Sequence, residues 1–349
     1  MGAVDGIFLA TEGETRQGGV MLRAGACLAF LSVWLLVGQA GASEPVVLWA
    51  VNDNDFWAFR GKDVDYSNGL EVHLRLPVRP AVGARWLQVG GALGHAIFTP
   101  PNLRETDPDV LRRERPYAGW LWGSVLLDGA WGAARLRFEA RGGLVGPHAF
   151  GEEAQRAWHS TNRAPDPKGW GVAQVGDALD LGARLAGGVR LARIDLSRRS
   201  GGWIALDLGP EVSCEAGALR VQCGAGALLR LGLLRDAGLS SFGTLAVPVE
   251  PPARGADGPS REVFLFASVE GRHAPRERLL DGPVCGRDGC GPSWVRRAPS
   301  KAEGQLGVAF ALGGWFAFFA HLWRTAELSA PAEAARPLHF GRVVLGRSW

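Results

Sequence analysis

Five short polar stretches of this chain carry the side chains that a hydrolytic site needs. Asn52-Asp53 sets an amide beside a carboxylate, and Asp65-Tyr66-Ser67-Asn68-Gly69 supplies a hydroxyl. Arg115-Pro116-Tyr117-Ala118-Gly119-Trp120 brings a guanidinium, Trp158-His159 an imidazole, and Lys168-Gly169-Trp170 an ammonium beside an indole. An imidazole takes a proton from water near neutral pH. A carboxylate next to an amide carbonyl suits a hard cation such as calcium, and a guanidinium grips a phosphate or carboxylate through two parallel hydrogen bonds. Each piece also has a plainer reading. Asn/Asp runs and a Ser beside Asn-Gly make turns, and Arg115 has Glu114 and Asp107 nearby as ion-pair partners. Ser67 lacks a Gly-x-Ser-x-Gly elbow, which weakens a covalent serine mechanism. His159 falls in a polar loop and competes with His73, His95 and His148 for the role of base.

These stretches are set between segments that alternate apolar and polar residues with period two. In 70–76, Leu70, Val72, Leu74 and Leu76 oppose Glu71, His73 and Arg75; in 135–141, Leu136, Phe138 and Ala140 oppose Arg135, Arg137, Glu139 and Arg141. A soluble sandwich and a membrane barrel share that pattern. Strands are predicted at 46–54, 66–76, 85–95, 117–127, 131–144, 180–196, 202–212, 218–232, 261–272, 304–313, 314–326 and 338–349. The total of about twelve is even, as bacterial outer-membrane barrels require. Residues 239–249 read as a further strand or a loop.

The chain has 47% hydrophobic residues, 50 Gly and 14 Trp, and no run after Ala42 matches the roughly 20 apolar residues of a spanning helix. Abundant indoles suit the membrane interface, as does the terminal strand ending on Trp349. All this favours a single all-β domain over 43–349, a transmembrane antiparallel barrel with long extracellular loops at 98–116, 147–178 and 273–303. Residues 151–160 are good helix formers and are predicted to project His159 from a short helix. Residues 22–42 read as a signal peptide cleaved before Ser43, with Met21 as the start and 1–20 a start-site error. Lipidation at Cys27 is disfavoured by the residues before it. The remaining four Cys form two close pairs, predicted as the disulfides Cys214–Cys223 and Cys285–Cys290, with a metal as the alternative for the second. A net charge of +3 with scattered Arg argues against nucleic acid.

The motifs, taken in order, resemble the outer-membrane lipid A 3′-O-deacylases. The resemblance rests on Asn52-Asp53, Asp65-Tyr66-Ser67-Asn68-Gly69, Arg115-Pro116-Tyr117-Ala118-Gly119-Trp120, Gly146-Pro147 followed by Trp158-His159, Gly169-Trp170 with Gln174, and Arg324-Thr325-Ala326-Glu327. It implies a twelve-stranded barrel whose site faces the lumen near the outer leaflet, and calcium-dependent release of the 3′-linked acyloxyacyl group of lipid A in lipopolysaccharide. It also implies roles: His159 as general base for water, calcium near Asp53 polarising the ester carbonyl, Asn52 and Ser67 orienting and stabilising the oxyanion, and Arg115 holding a lipid A phosphate. Glu114 stands where some members have a basic residue, Val64 where Gly can occur, and 273–303 has no counterpart in the pattern. Lipid A and membrane lipid are the expected partners, with the chain a monomer. An outer-membrane phospholipase and a passive porin-like barrel are the alternatives.

Overall fold

The computed structural model describes residues 46–58, 65–79, 82–197, 204–234, 261–286 and 289–349. The expected signal peptide and the 239–249 segment lie outside the described residues. Strands β1 (Val47–Asn54), β2 (Asn68–Val78), β3 (Trp86–Phe98), β4 (Ala118–Trp131) and β5 (Ala134–Val145) form a meander, followed by β6 in two segments, Ala178–Val189 and Ala192–Ser197. β7 (Ile204–Gly217), β8 (Arg220–Leu233), β9 (Arg261–Glu277), β10 (Ser300–Leu312), β11 (Trp315–Arg324) and β12 (Leu338–Ser348) complete it. β12 pairs antiparallel with β1, Ser348 opposite Val47, so the sheet closes into a barrel of twelve staves. The predicted strand at 180–196 is broken. Its first segment pairs with both β5 and the upper half of β7, while its second continues along the lower half of β7, with Ala192 opposite Leu208.

The alternation resolves inside out. Glu71, His73 and Arg75 are buried, whereas Leu70 and Val72 are 49% and 45% exposed. On β5, Arg135, Arg137, Glu139 and Arg141 point inward, and Leu136 and Phe138 outward. A sandwich in water would reverse both faces, so the apolar coat marks a lipid-facing wall. The buried charges are paired. Asp128 accepts from Arg75 at 2.8 Å, Arg135 at 2.6 Å and Arg137 at 2.9 Å, and Arg230 reaches Asp207 at 2.7 Å. Trp49, Phe264, Phe266, Phe316, Phe318 and Phe340 fill another part of the lumen. The lumen cavity lined by Asp53, Tyr66, Arg115 and Glu327 measures about 70 Å³, room for a few waters. No described helix is long and apolar enough to cross a membrane.

One end of the barrel has tight turns, such as Gly313-Gly314, whose φ values of 57° and 86° suit glycine. Long loops with α1 (Pro108–Leu111) and α2 (Gly151–Asn162) crowd the other, and α2 matches the helix expected at 151–160. Both predicted disulfides form: Cys214–Cys223 joins facing residues of β7 and β8, and Cys285–Cys290 staples a hairpin that adds Gln174–Val175 as a third strand.

Candidate active site

α2 lies on the outside of the wall. Along β4, Trp120 and Trp122 face the lumen, so Gly119 faces out. Gly119 meets Gly151 at the start of α2 so closely that a Cβ on Gly151 would come 2.8 Å from the Gly119 Cα. Left-handed residues bound the helix, Phe150 (φ 58°) and Arg163 (φ 55°). Three contacts hold it down. Trp170 Nε1 donates to Gln155 Oε1 at 2.7 Å, and the buried Trp170 ring packs on Tyr117 with centroids 4.9 Å apart. His95, facing out from β3, donates through Nε2 to the Ala149 carbonyl at 2.8 Å.

Between α2, the end of β1 and the chain after β3 opens a cavity of about 680 Å³. It brings together Asn52 and His159, from distant parts of the sequence. Asn54, Asp55, Trp57, Arg104 and Asn162 also line it. Phe56 and Trp158, 65% and 60% exposed, give its rim an aromatic surface suited to the headgroup zone. The Nδ1 of His159 lies 2.5 Å from the Pro165 carbonyl, which can only accept. The neutral ring therefore carries its proton on Nδ1 and its lone pair on Nε2, the arrangement of a general base with an orienting partner. Asn52 accepts at Oδ1 from Trp57 Nε1 at 2.7 Å, and its Nδ2 donates to Asn68 Oδ1 at 2.9 Å and the Gly69 carbonyl at 3.2 Å. His73, His95 and His148 are engaged elsewhere, with Glu71, Ala149 and Asp177.

The other expected residues do not share this cavity. Because strand neighbours point to opposite faces, Asp53 projects into the lumen while Asn52 projects out. The expectation of a lumen-facing site uniting the five residues is thereby corrected. Asp53 accepts from Arg342 through both oxygens, each at 2.6 Å, and from Tyr66 Oη at 3.2 Å. Arg115 also lines the lumen, stacked over Phe98 at 4.5 Å and paired with Glu327 rather than with Glu114 or Asp107. Burial alone would raise the Glu327 carboxyl, but Lys301, Arg115 and Arg324 outweigh it and hold it well below the ordinary carboxylate range. Glu114 meets Arg336, which also clasps Asp65. Ser67 lines neither cavity and shares a 2.6 Å hydrogen bond with Thr99. Sequence reasoning passed over Trp57 and Arg104. The period-two rule applied within β1 would have separated Asn52 from Asp53; nothing local marks the other two.

The oxygen donors discriminate between cation positions. Both oxygens of Asp53 are committed to a guanidinium, so that carboxylate does not fit as a calcium ligand. Asn52, Asn54 and Asp55 line the outer cavity; the Asn54 Oδ1 already accepts from the Phe56 N–H at 2.7 Å, which leaves the Asn52 amide oxygen and the Asp55 carboxylate as its hard oxygens. Such hard oxygens fit calcium chemically, with the rest of its six to eight ligands left to water and substrate. Among the described residues no cluster of three His, Cys, Asp or Glu side chains could hold a metal.

A family profile described as "Outer membrane protein LpxR" matches residues 24–349. The fold is similar to LpxR from Salmonella typhimurium, with a TM-score of 0.71 and 19% identity over 86% of this chain and 99% of that one. The β domain of the Bordetella autotransporter BrkA aligns at a TM-score of 0.41 and 14% identity over 88% of this chain and 99% of its own. No curated protein sequence matches.

Proposed function

Because the chain belongs to the LpxR family of outer membrane proteins, we propose that it is a lipid A deacylase that hydrolyses the ester of the 3′-linked acyloxyacyl group in its outer cavity. The observation that carries this reading is the cavity itself. It sets the oriented imidazole of His159 and the fixed amide of Asn52 on the outer wall at the loop end of the barrel, where outer-leaflet lipid can reach them.

In this reading His159 Nε2 takes a proton from water, and the oxygen of that water attacks the ester carbonyl carbon. The tetrahedral intermediate collapses by breaking the bond to the sugar oxygen. His159 returns the proton to that oxygen, so fatty acid and a free sugar hydroxyl leave. Asn52 and Asp55 are the residues that would hold calcium, which would supply positive charge for the developing oxyanion. Arg104, exposed at the cavity, is the cation positioned for a lipid A phosphate, whereas Arg115 is paired inside the lumen. Asp53, Arg115 and Ser67 then act on the scaffold: the first two tie strands and loops together across the lumen, and Ser67 fixes the entry to β2.

One observation weighs against the phospholipase alternative. A phospholipase with a serine nucleophile needs that hydroxyl beside the histidine, and no serine is among the described residues lining the cavity. A passive porin-like barrel would leave lipid A unchanged whatever residue stands at 159. Mass spectrometry of lipid A from cells carrying the chain is the test. The native protein removes one acyloxyacyl unit; His159→Ala leaves it in place, and Asn52→Ala, a chelator or Asp55→Asn reduces release. Unchanged lipid A with the folded native protein and calcium present refutes the proposal.

A further inference from the structure

We infer that Trp57 is a positioning residue, whose indole N–H fixes Asn52 so that its side chain offers the cavity a carbonyl oxygen rather than an N–H. The inference rests on the hydrolytic reading of that cavity and changes the part Asn52 plays in it.

Two neighbours of Asn52 have unambiguous polarity. The indole Nε1 of Trp57 can only donate, and it lies 2.7 Å from Oδ1. The Gly69 carbonyl can only accept, and it lies 3.2 Å from Nδ2. Turning the amide over would set N–H against N–H and oxygen against oxygen at once. Asn68 Oδ1 takes the second Nδ2 proton at 2.9 Å. Both amide protons are thus spent inside the wall, leaving none for an oxyanion. Oδ1 has two lone pairs and Trp57 uses one. The other serves the cavity as an acceptor, for a proton of the attacking water or as a cation ligand.

The placement of Trp57 is itself built in. The turn Asp55–Ala58 starts with the Phe56 N–H donating to Asn54 Oδ1 at 2.7 Å. Trp57 then lies over Gly341 of β12, where a Cβ would come 2.4 Å from the Trp57 Cβ and 2.8 Å from its carbonyl carbon. Only a glycine there lets the turn settle on the wall with its indole directed at Asn52.

Trp57→Phe keeps the aromatic ring and removes the N–H. The expected result is a fall in kcat of about tenfold, with KM within about twofold and an unchanged unfolding midpoint, the size of one neutral hydrogen bond. Because Trp57 acts through Asn52, the same change costs nothing further in an Asn52→Ala background. A wild-type kcat in Trp57→Phe, or the same loss with and without Asn52, overturns the inference. The indole N–H resonance of Trp57, identified by its loss in Trp57→Phe, tests the contact without activity: it shifts in Asn52→Ala, and an unmoved signal overturns the inference. A shifted signal in a protein inactive on lipid A would sink the hydrolytic reading and leave the Trp57–Asn52 lock standing.

Discussion

Replacing Asp53 by alanine separates a lumen ion pair from a catalytic carboxylate. Arg342 is 2% exposed, and both of its hydrogen bonds to Asp53 measure 2.6 Å. Asp53→Ala leaves a guanidinium buried without its counter-ion, which costs about 3–5 kcal/mol. Tyr66 Oη, the other donor to Asp53, loses its acceptor in the same step. The folded-to-unfolded ratio then falls by roughly two to three and a half orders of magnitude. Arg342→Met in the same chain removes the stranded charge and returns most of that loss, because a buried pair replaced by apolar groups is close to neutral. The assay is denaturant unfolding of the barrel refolded in detergent, followed by tryptophan fluorescence, with lipid A deacylation measured where each variant is still folded. Asp53→Ala and the double variant are expected to keep turnover, since Asn52 and His159 lie on the other side of the wall. An Asp53→Ala protein of native stability that loses activity as completely as His159→Ala would refute this reasoning and return Asp53 to the chemistry.

Gly151→Ala tests the seating of α2. The added Cβ meets the Trp170 Cη2 at 2.7 Å and the Gly119 Cα at 2.8 Å, so the helix must lift and carry His159 with it. Deacylation is expected to fall at least about tenfold with the barrel still folded, since misplacement by about 1 Å can cost 10²-fold; full activity would show that α2 tolerates the shift. Acid tests the loop end through Glu327, whose carboxyl is held well below its ordinary value of 4.5. A depressed acid stabilises fully above its unfolded pKa and loses that contribution as pH falls through its folded one. Unfolding midpoints followed downward from neutral pH should therefore drop below pH 4.5, with a shallower drop in Glu327→Gln; equal slopes would count against the pairing with Arg115, Lys301 and Arg324.

The barrel was legible because its signal is local and repeated. Alternation in 70–76 and 135–141 requires one apolar and one charged face whatever the fold, and an even set of about twelve such strands suits a closed sheet in lipid. The helix at 151–162 and both disulfides were legible for the same reason, each being set by residues close together in the chain. The break in β6 was not, because it arises where the strand changes its pairing between neighbours.

For the site, residue types identified Asn52 and His159 as chemically able and motif order, through the family resemblance, put them in one site; neither told which face of the wall that site would occupy. Closure of β12 onto β1 brings Arg342 to Asp53 across 289 positions, and Arg115 finds Glu327 across 212. Buried charges take whichever counter-charge the fold delivers, because an unpaired one is too costly to keep. Composition therefore specified which groups were present, while the closed wall decided which of them face lipid and substrate and which are neutralised inside. That division follows from burial and geometry, and both exist only once the strands have paired.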